Sequence, residues 1–217
     1  HTLATLGVAL ALSYPSVSEA KDPEVRFEKY TLENGLEVIL HQDKSVPLVA
    51  VNVWYHVGSG DETVGKSGFA HLFEHVMFQG SRNVGENMFF KYLERAGASE
   101  RNGTTNSDRT NYFETVPKTE LGLVLWLESD RMGFLLDHAN DETFKSQRDV
   151  VKNERRQNYE NAPYGLVAQF THEALYPQGH PYHRLTIGTP ADLDAATFED
   201  VKAFFKTYYL PNNATPV

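Results

Sequence analysis

The spacing of apolar residues changes several times along this chain, and each change marks an expected element. Residues 26–32 and 36–41 alternate apolar and polar positions, the period of a half-buried strand, and Glu33-Asn34-Gly35 joins them as a hairpin turn. Residues 49–57 form a longer β-branched run, expected as a central strand, which Gly58-Ser59-Gly60-Asp61 closes. From Ser67 the spacing becomes three and four. Phe69, Leu72, Phe73 and Val76 then make a helical stripe with Ser67 as the expected N-cap.

Residues 86–96 are expected as a second helix with Phe89, Phe90 and Leu93 inward, stopped at Gly97. Residues 101–106 and 111–116 flank the polar turn Ser107-Asp108-Arg109 as a hairpin. Helical patterns continue over 118–136, 141–161 and 166–176, and from Thr197 within 192–209. No internal repeat or low-complexity linker interrupts them. The sum is an α+β fold, a mainly antiparallel sheet with helices packed on one face.

The helix beginning near Ser67 carries the chemistry. His71, Glu74 and His75 stand at i, i+3 and i+4, so all three project from one face. Two imidazoles one turn apart can ligate one metal ion, and the carboxylate beside them can take a proton from an activated water. The order is His-x-x-Glu-His, with Glu directly before the second His, the inverse of the commoner zinc-protease pattern. The plainer reading is an amphipathic helix that happens to carry these residues. Their apolar neighbours Ala70, Leu72 and Val76 weigh against it, because buried imidazoles and a carboxylate need a partner.

Composition narrows the choice. The chain has 217 residues, 41% of them hydrophobic, which supplies a sizeable core. A formal net charge of −9 argues against nucleic acid and against a basic membrane-binding face. With no Cys, any zinc site must use His and carboxylate ligands, a donor set that leans catalytic. Residues 1–20 stand apart. The apolar run 3–12 followed by Ser18-Glu19-Ala20 reads as the remnant of a secretory signal peptide, too short to span a bilayer. That leaves 21–217 as one functional domain.

A catalytic zinc site takes a third protein ligand. On the polar helix, Phe144, Gln147, Val151, Glu154 and Asn158 share a face, so Glu154 is a candidate on an inward side. Pairing of Glu154 with Arg155 or Arg156 is the competing reading, and His172, His180 and His183 are rival ligands.

The residues just described resemble the inverted-motif zinc peptidases, the family of pitrilysin, insulin-degrading enzyme and mitochondrial processing peptidase. The resemblance spans about residues 26–214. It rests on Asn34-Gly35-Leu36, on Gly58-Ser59-Gly60-Asp61-Glu62 and on the run from Gly68 to Phe78 around the motif. Asn153-Glu154, Pro181-Tyr182 and the run from Tyr209 to Ala214 also match. It implies His71, His75 and Glu154 as ligands of one Zn2+ per chain and Glu74 as the catalytic base. It implies Asn102, Gly103 and Thr104 on a substrate-binding edge strand where an extended peptide adds to the sheet. The implied activity is zinc-dependent endopeptidase cleavage of peptides or small unfolded proteins. The alternative is a non-catalytic structural relative or a zinc-containing peptide-binding subunit.

Two departures from the family pattern matter. Gln147 stands where many members carry a second Glu, seven positions before the ligand. The chain also matches only the first of the family's two homologous domains, so a second domain or subunit is an expected partner, which would contribute an Arg and a Tyr. The leader-like start and the resemblance to bacterial members place the expected protein in the periplasm or outside a bacterial cell, with no stable membrane span.

Overall fold

The computed structural model of the chain describes residues 24–217; the leader-like stretch expected over 1–20 lies outside the described residues. The first hairpin forms as expected, β1 (Glu28–Thr31) against β2 (Glu37–Leu40), and the Asn34 side chain accepts from the Leu36 N–H within the turn.

The main sheet has four strands in the order β4-β5-β3-β6, every pairing antiparallel. They are β3 (Leu48–Tyr55), β4 (Glu100–Thr105), β5 (Thr110–Pro117) and β6 (Ala214–Pro216). β3 is central, as its β-branched run predicts. Pairing Val53 with Tyr112 and Tyr112 with Gly103 places these residues on one face. On that face Val51, Val53, Tyr55, Tyr112 and Val116 are buried, whereas Trp54 on the opposite face is exposed. β6 was not expected from the sequence: its three residues are too few to show a period.

Helices α1 (Phe69–Val76) and α3 (Leu121–Phe134) pack on the buried face. The others are α2 (Met88–Arg95), α4 (Asp141–Arg155), α5 (Val167–Leu175), α6 (Pro190–Ala195) and α7 (Phe198–Tyr208). Phe73 is fully buried and packs its ring at a tilt against Phe204 and Tyr209, joining α1 to α7 and its C-terminal cap. Thr197 caps α7 as expected, exchanging bonds with Asp200 in a capping box. The result is the α+β arrangement read from the periodicities. No helix among the described residues is long and apolar enough to cross a membrane.

Three expectations need correction. Phe90, expected inward on the second helix, is exposed, whereas Phe89 and Leu93 are buried. α1 does not start on Ser67. Its N-cap is Gly68 at φ 86°, a backbone conformation that favours glycine, while the Ser67 N–H and hydroxyl both donate to Asp192. The helix expected over 141–161 also changes character, passing from α to a π turn over Arg156–Glu160. The extra residue in that turn rotates the remainder of the helix, so Asn158 is exposed instead of sharing the inward face of Phe144 and Val151.

Candidate metal centre

α1 is held almost entirely inside the protein: Phe69, Ala70, Leu72, Phe73, Glu74 and Val76 are all buried. Only His71 and His75 emerge, toward α4. Because Gly68 offers no side chain to cap the helix, Glu62 does so from a distance. Its carboxylate accepts from the Gly68 N–H at 3.1 Å and the Ala70 N–H at 2.8 Å. That neutralises donors that a buried helix start leaves unpaired. The sequence offered an acidic residue shortly before the helix, but the intervening loop hid the connection.

α4 approaches α1 with Phe144 and Val151 buried, and the same helical face carries Glu154. One Glu154 oxygen lies 3.6 Å from His71 Nε2 and 3.5 Å from His75 Nε2. Among the described residues, this is the only group of three or more potential metal ligands whose ligand atoms all lie within 4.8 Å of one another. A tetrahedral ion bound at roughly 2.1 Å holds its ligand atoms about 3.4 Å apart. The two distances from Glu154 to the imidazoles match that spacing.

The donor chemistry suits it too. Burial, with the neighbouring His75 as second cause, pushes the His71 imidazole down to about 4, so His71 is neutral near pH 7 and offers a lone pair. The His71 Nδ1 atom is buried with no hydrogen-bond partner among the described residues. Ligating histidines usually donate that second nitrogen to an acceptor, so this site lacks one common orienting contact.

The competing assignments are not what forms. Arg155 turns away from Glu154: it is buried and donates to the Gly188 carbonyl, Glu160 and Gln169, while Arg156 donates to Asn153. Arg155 thereby ties the end of α4 to the segment that touches Gly68 at the start of α1. His172 and His183 each bond a backbone carbonyl through Nδ1, and the His180 Nδ1 accepts from the Tyr182 N–H. Gln147 is half-buried on α4 and takes no part in the cluster.

Glu74 points from α1 toward β4. Thr105 Oγ1 donates to its Oε2 at 2.5 Å. Burial pushes its carboxyl up to about 7, against the pull of that hydrogen bond, with the Glu154 charge adding to the rise and Arg109 opposing it. A carboxyl held near neutrality can both accept and return a proton. β4 lies unusually near: a Cβ on Gly103 would sit 3.0 Å from Glu74 Cγ and 3.1 Å from Phe78 Cε2. Asn102 and Thr104 flank it with their side chains on the opposite face of the sheet. β4 is an edge strand, paired only with β5 among the described residues. Thr105 escaped the sequence reading, although it lies two positions after Gly103 and so shares its face toward α1.

The family model described as Insulinase (Peptidase family M16) matches residues 37–189. A zinc protease named PqqE from Helicobacter pylori is 37% identical over 195 residues, covering 87% of this chain and 42% of that protein. A crystal structure of a protease from Helicobacter pylori superposes with TM-score 0.83 at 35% identity, over 88% of this chain and 45% of that one. The periplasmic protease PqqL of Escherichia coli gives TM-score 0.78 at 23% identity over 88% of this chain and 21% of its own, a likeness of fold. The chain thus spans less than half the length of these relatives.

Proposed function

The chain belongs to the insulinase family of peptidases, M16, and from that premise we propose that it is the catalytic unit of a zinc-dependent endopeptidase. His71, His75 and Glu154 hold one zinc ion, and Glu74 is the general base. The observation that carries this reading is the convergence of one carboxylate oxygen from α4 on two imidazoles of α1, at 3.5 and 3.6 Å.

Zinc bound there supplies Lewis acidity, which polarises a scissile carbonyl and makes water a stronger acid. The chain's residues do the rest. Glu74 accepts the proton of the attacking water on a carboxylate that Thr105 holds in place, and passes it to the departing amine. The edge of β4 beside Glu74 aligns an extended peptide through backbone hydrogen bonds, with Asn102, Gly103 and Thr104 in register with it. Gly103 allows that strand to lie against the base.

The leader-like sequence at 1–20 and the periplasmic setting of a structural neighbour support export from a bacterial cytoplasm. The length of the relatives supports a second homologous domain or subunit as partner.

The test combines metal analysis with cleavage of a fluorogenic peptide by the complete assembly. Wild type should hold one zinc per chain, and Glu74→Gln should keep that zinc while losing about 10²–10⁴-fold in kcat, the usual worth of a general base. Zinc retention with more than about a tenth of wild-type turnover in Glu74→Gln removes Glu74 from that role. Zinc retention with no peptide cleavage by wild type supports a peptide-binding or structural relative instead.

A further inference from the structure

Beside the first half of β4 lies a shallow groove, open to solvent, of about 570 Å3, lined by Phe90, Ser99, Glu100, Arg101, Asn102 and Phe113. Arg101 is its unusual member. It is half-buried, and its guanidinium makes one hydrogen bond, a long one of 3.4 Å to the Ala98 carbonyl. Its cross-strand partner on the same face is Glu114, yet that carboxyl lies among Glu128 and Arg131 in the core. Among the described residues no carboxylate lies within 4.0 Å of Arg101. Glu100, next in sequence, projects to the opposite face of the strand. Arg101 is thus a half-buried cation with no close carboxylate, beside the aromatic rings of Phe90 and Phe113, and an anion reaching it would find a guanidinium free to pair.

The polarity of the sheet says which anion. A peptide that continues the antiparallel order of the sheet on β4 runs with its N-terminal part beside Thr105 and its C-terminal part beside Glu100. Glu74 lies against Gly103 and Thr105. The peptide residue that pairs with Arg101 therefore lies two positions C-terminal to the one that pairs with Gly103. It also points to the same face as Arg101, on the side of the groove that Phe90 lines, while Glu100, Asn102 and Phe113 line the other side.

We propose that Arg101 selects peptides carrying a carboxylate about two residues beyond the cleaved bond on its C-terminal side, either an Asp or Glu side chain or the peptide's own C-terminus. This rests on the proposed peptidase reading and narrows its substrate class. A half-exposed ion pair of this kind is worth up to about fivefold in affinity. The selection is electrostatic, so it shrinks as salt rises.

The experiment uses peptides identical except at that position, with Glu, Gln or Lys there, each with a free or an amidated C-terminus. Binding is read by fluorescence anisotropy on zinc-loaded Glu74→Gln protein, and cleavage on the otherwise unaltered enzyme in its complete assembly. The expected result is that the Glu peptide binds, and is cut in kcat/KM, about three- to fivefold better than the Gln peptide. Arg101→Ala should abolish that difference and Arg101→Glu should shift the preference to Lys, with zinc content unchanged. A gain on freeing the C-terminus, only when it falls at this position, identifies the terminal carboxylate as a second source. Equal binding of Glu and Gln peptides, or a preference that survives Arg101→Ala, overturns the proposal. Absence of binding by every peptide overturns the docking edge on which it depends. Arg101-dependent binding without cleavage by wild type leaves this inference standing and removes the peptidase reading instead.

Discussion

Thr105 and Glu74 are 31 residues apart in sequence, and the threonine hydroxyl donates to the carboxylate at 2.5 Å. The bond joins the buried helix α1 to the sheet edge, so it orients the proposed base relative to the strand where a peptide would lie. Thr105→Val keeps the shape and removes the donor. Loss of a hydrogen bond to a charged group costs on the order of 1.5–3 kcal/mol, or roughly 10–100-fold. We expect that fall in kcat at unchanged KM and zinc content, with Thr105→Ser restoring most of it. A parallel loss of zinc would instead show that Thr105 serves the fold of the site.

The metal assignment is tested by stability as well as by elemental analysis. Zinc that binds only the folded chain stabilises it by about 2.7 kcal/mol at a hundredfold excess over Kd. Wild type should therefore melt at a higher temperature with zinc than after chelation. His75→Ala and Glu154→Ala should each abolish the shift and the bound metal. A variant that keeps both is not missing a ligand.

The motif was readable because it lies on one continuous helix. Phe69, Leu72, Phe73 and Val76 report its buried side, His71 and His75 emerge toward α4 one turn apart, and Glu74 between them is buried toward β4. Glu154 was readable only as a candidate, since 79 positions separate it from His75 and its inward face had to be inferred from Phe144 and Val151. The cap of α1 was misread because Ser67 has the right chemistry one position early, whereas a loop carboxylate, Glu62, takes the duty. Asn158 was misplaced because no periodicity announces a switch from α to π geometry. Contacts made through the fold, such as Thr105 with Glu74 or Arg155 with the Gly188 carbonyl, leave no local trace in sequence.

Beneath the sheet, Glu114, Glu128 and Arg131 form a buried cluster with one cation for two carboxyls. Arg131 pairs with Glu128, and one Glu114 oxygen has no partner among the described residues. Burial, followed by the Glu128 charge, raises the Glu114 carboxyl well above its ordinary range. The folded state therefore keeps a proton that the unfolded chain releases above about pH 4.3. Stability is full below that value and falls as pH rises toward the folded pKa. Glu114→Gln removes the titrating group while Glu128 still neutralises Arg131. Urea denaturation at pH 6 and pH 9 should show at least about 1 kcal/mol of wild-type loss that the variant lacks. Equal losses in both proteins would mean that Glu114 is already ionised in the folded state.

The chain by itself should bind zinc and cut peptides poorly. Hydrolysis needs a donor aimed at the oxyanion that develops on the scissile carbonyl, and removing one such donor typically costs about 10²–10³ in kcat. Among the described residues, Arg109, Arg155, Tyr112 and Tyr209 are cationic and phenolic groups already engaged elsewhere. Arg109 donates to the Thr104 carbonyl and to Asn111, and Arg155 is buried on Gly188, Glu160 and Gln169. Tyr112 and Tyr209 bond each other in the core at 3.1 Å. The relatives are more than twice as long as the matched stretch, and the proposed second domain or subunit is the expected source of a further donor. A fluorogenic peptide assay on the chain alone, and again after adding that second unit, decides the matter. Zinc-loaded chain should gain at least about a hundredfold on mixing. Full activity of the chain alone, abolished by Glu74→Gln so that a contaminating peptidase is excluded, would show that the groups within these residues stabilise the oxyanion unaided.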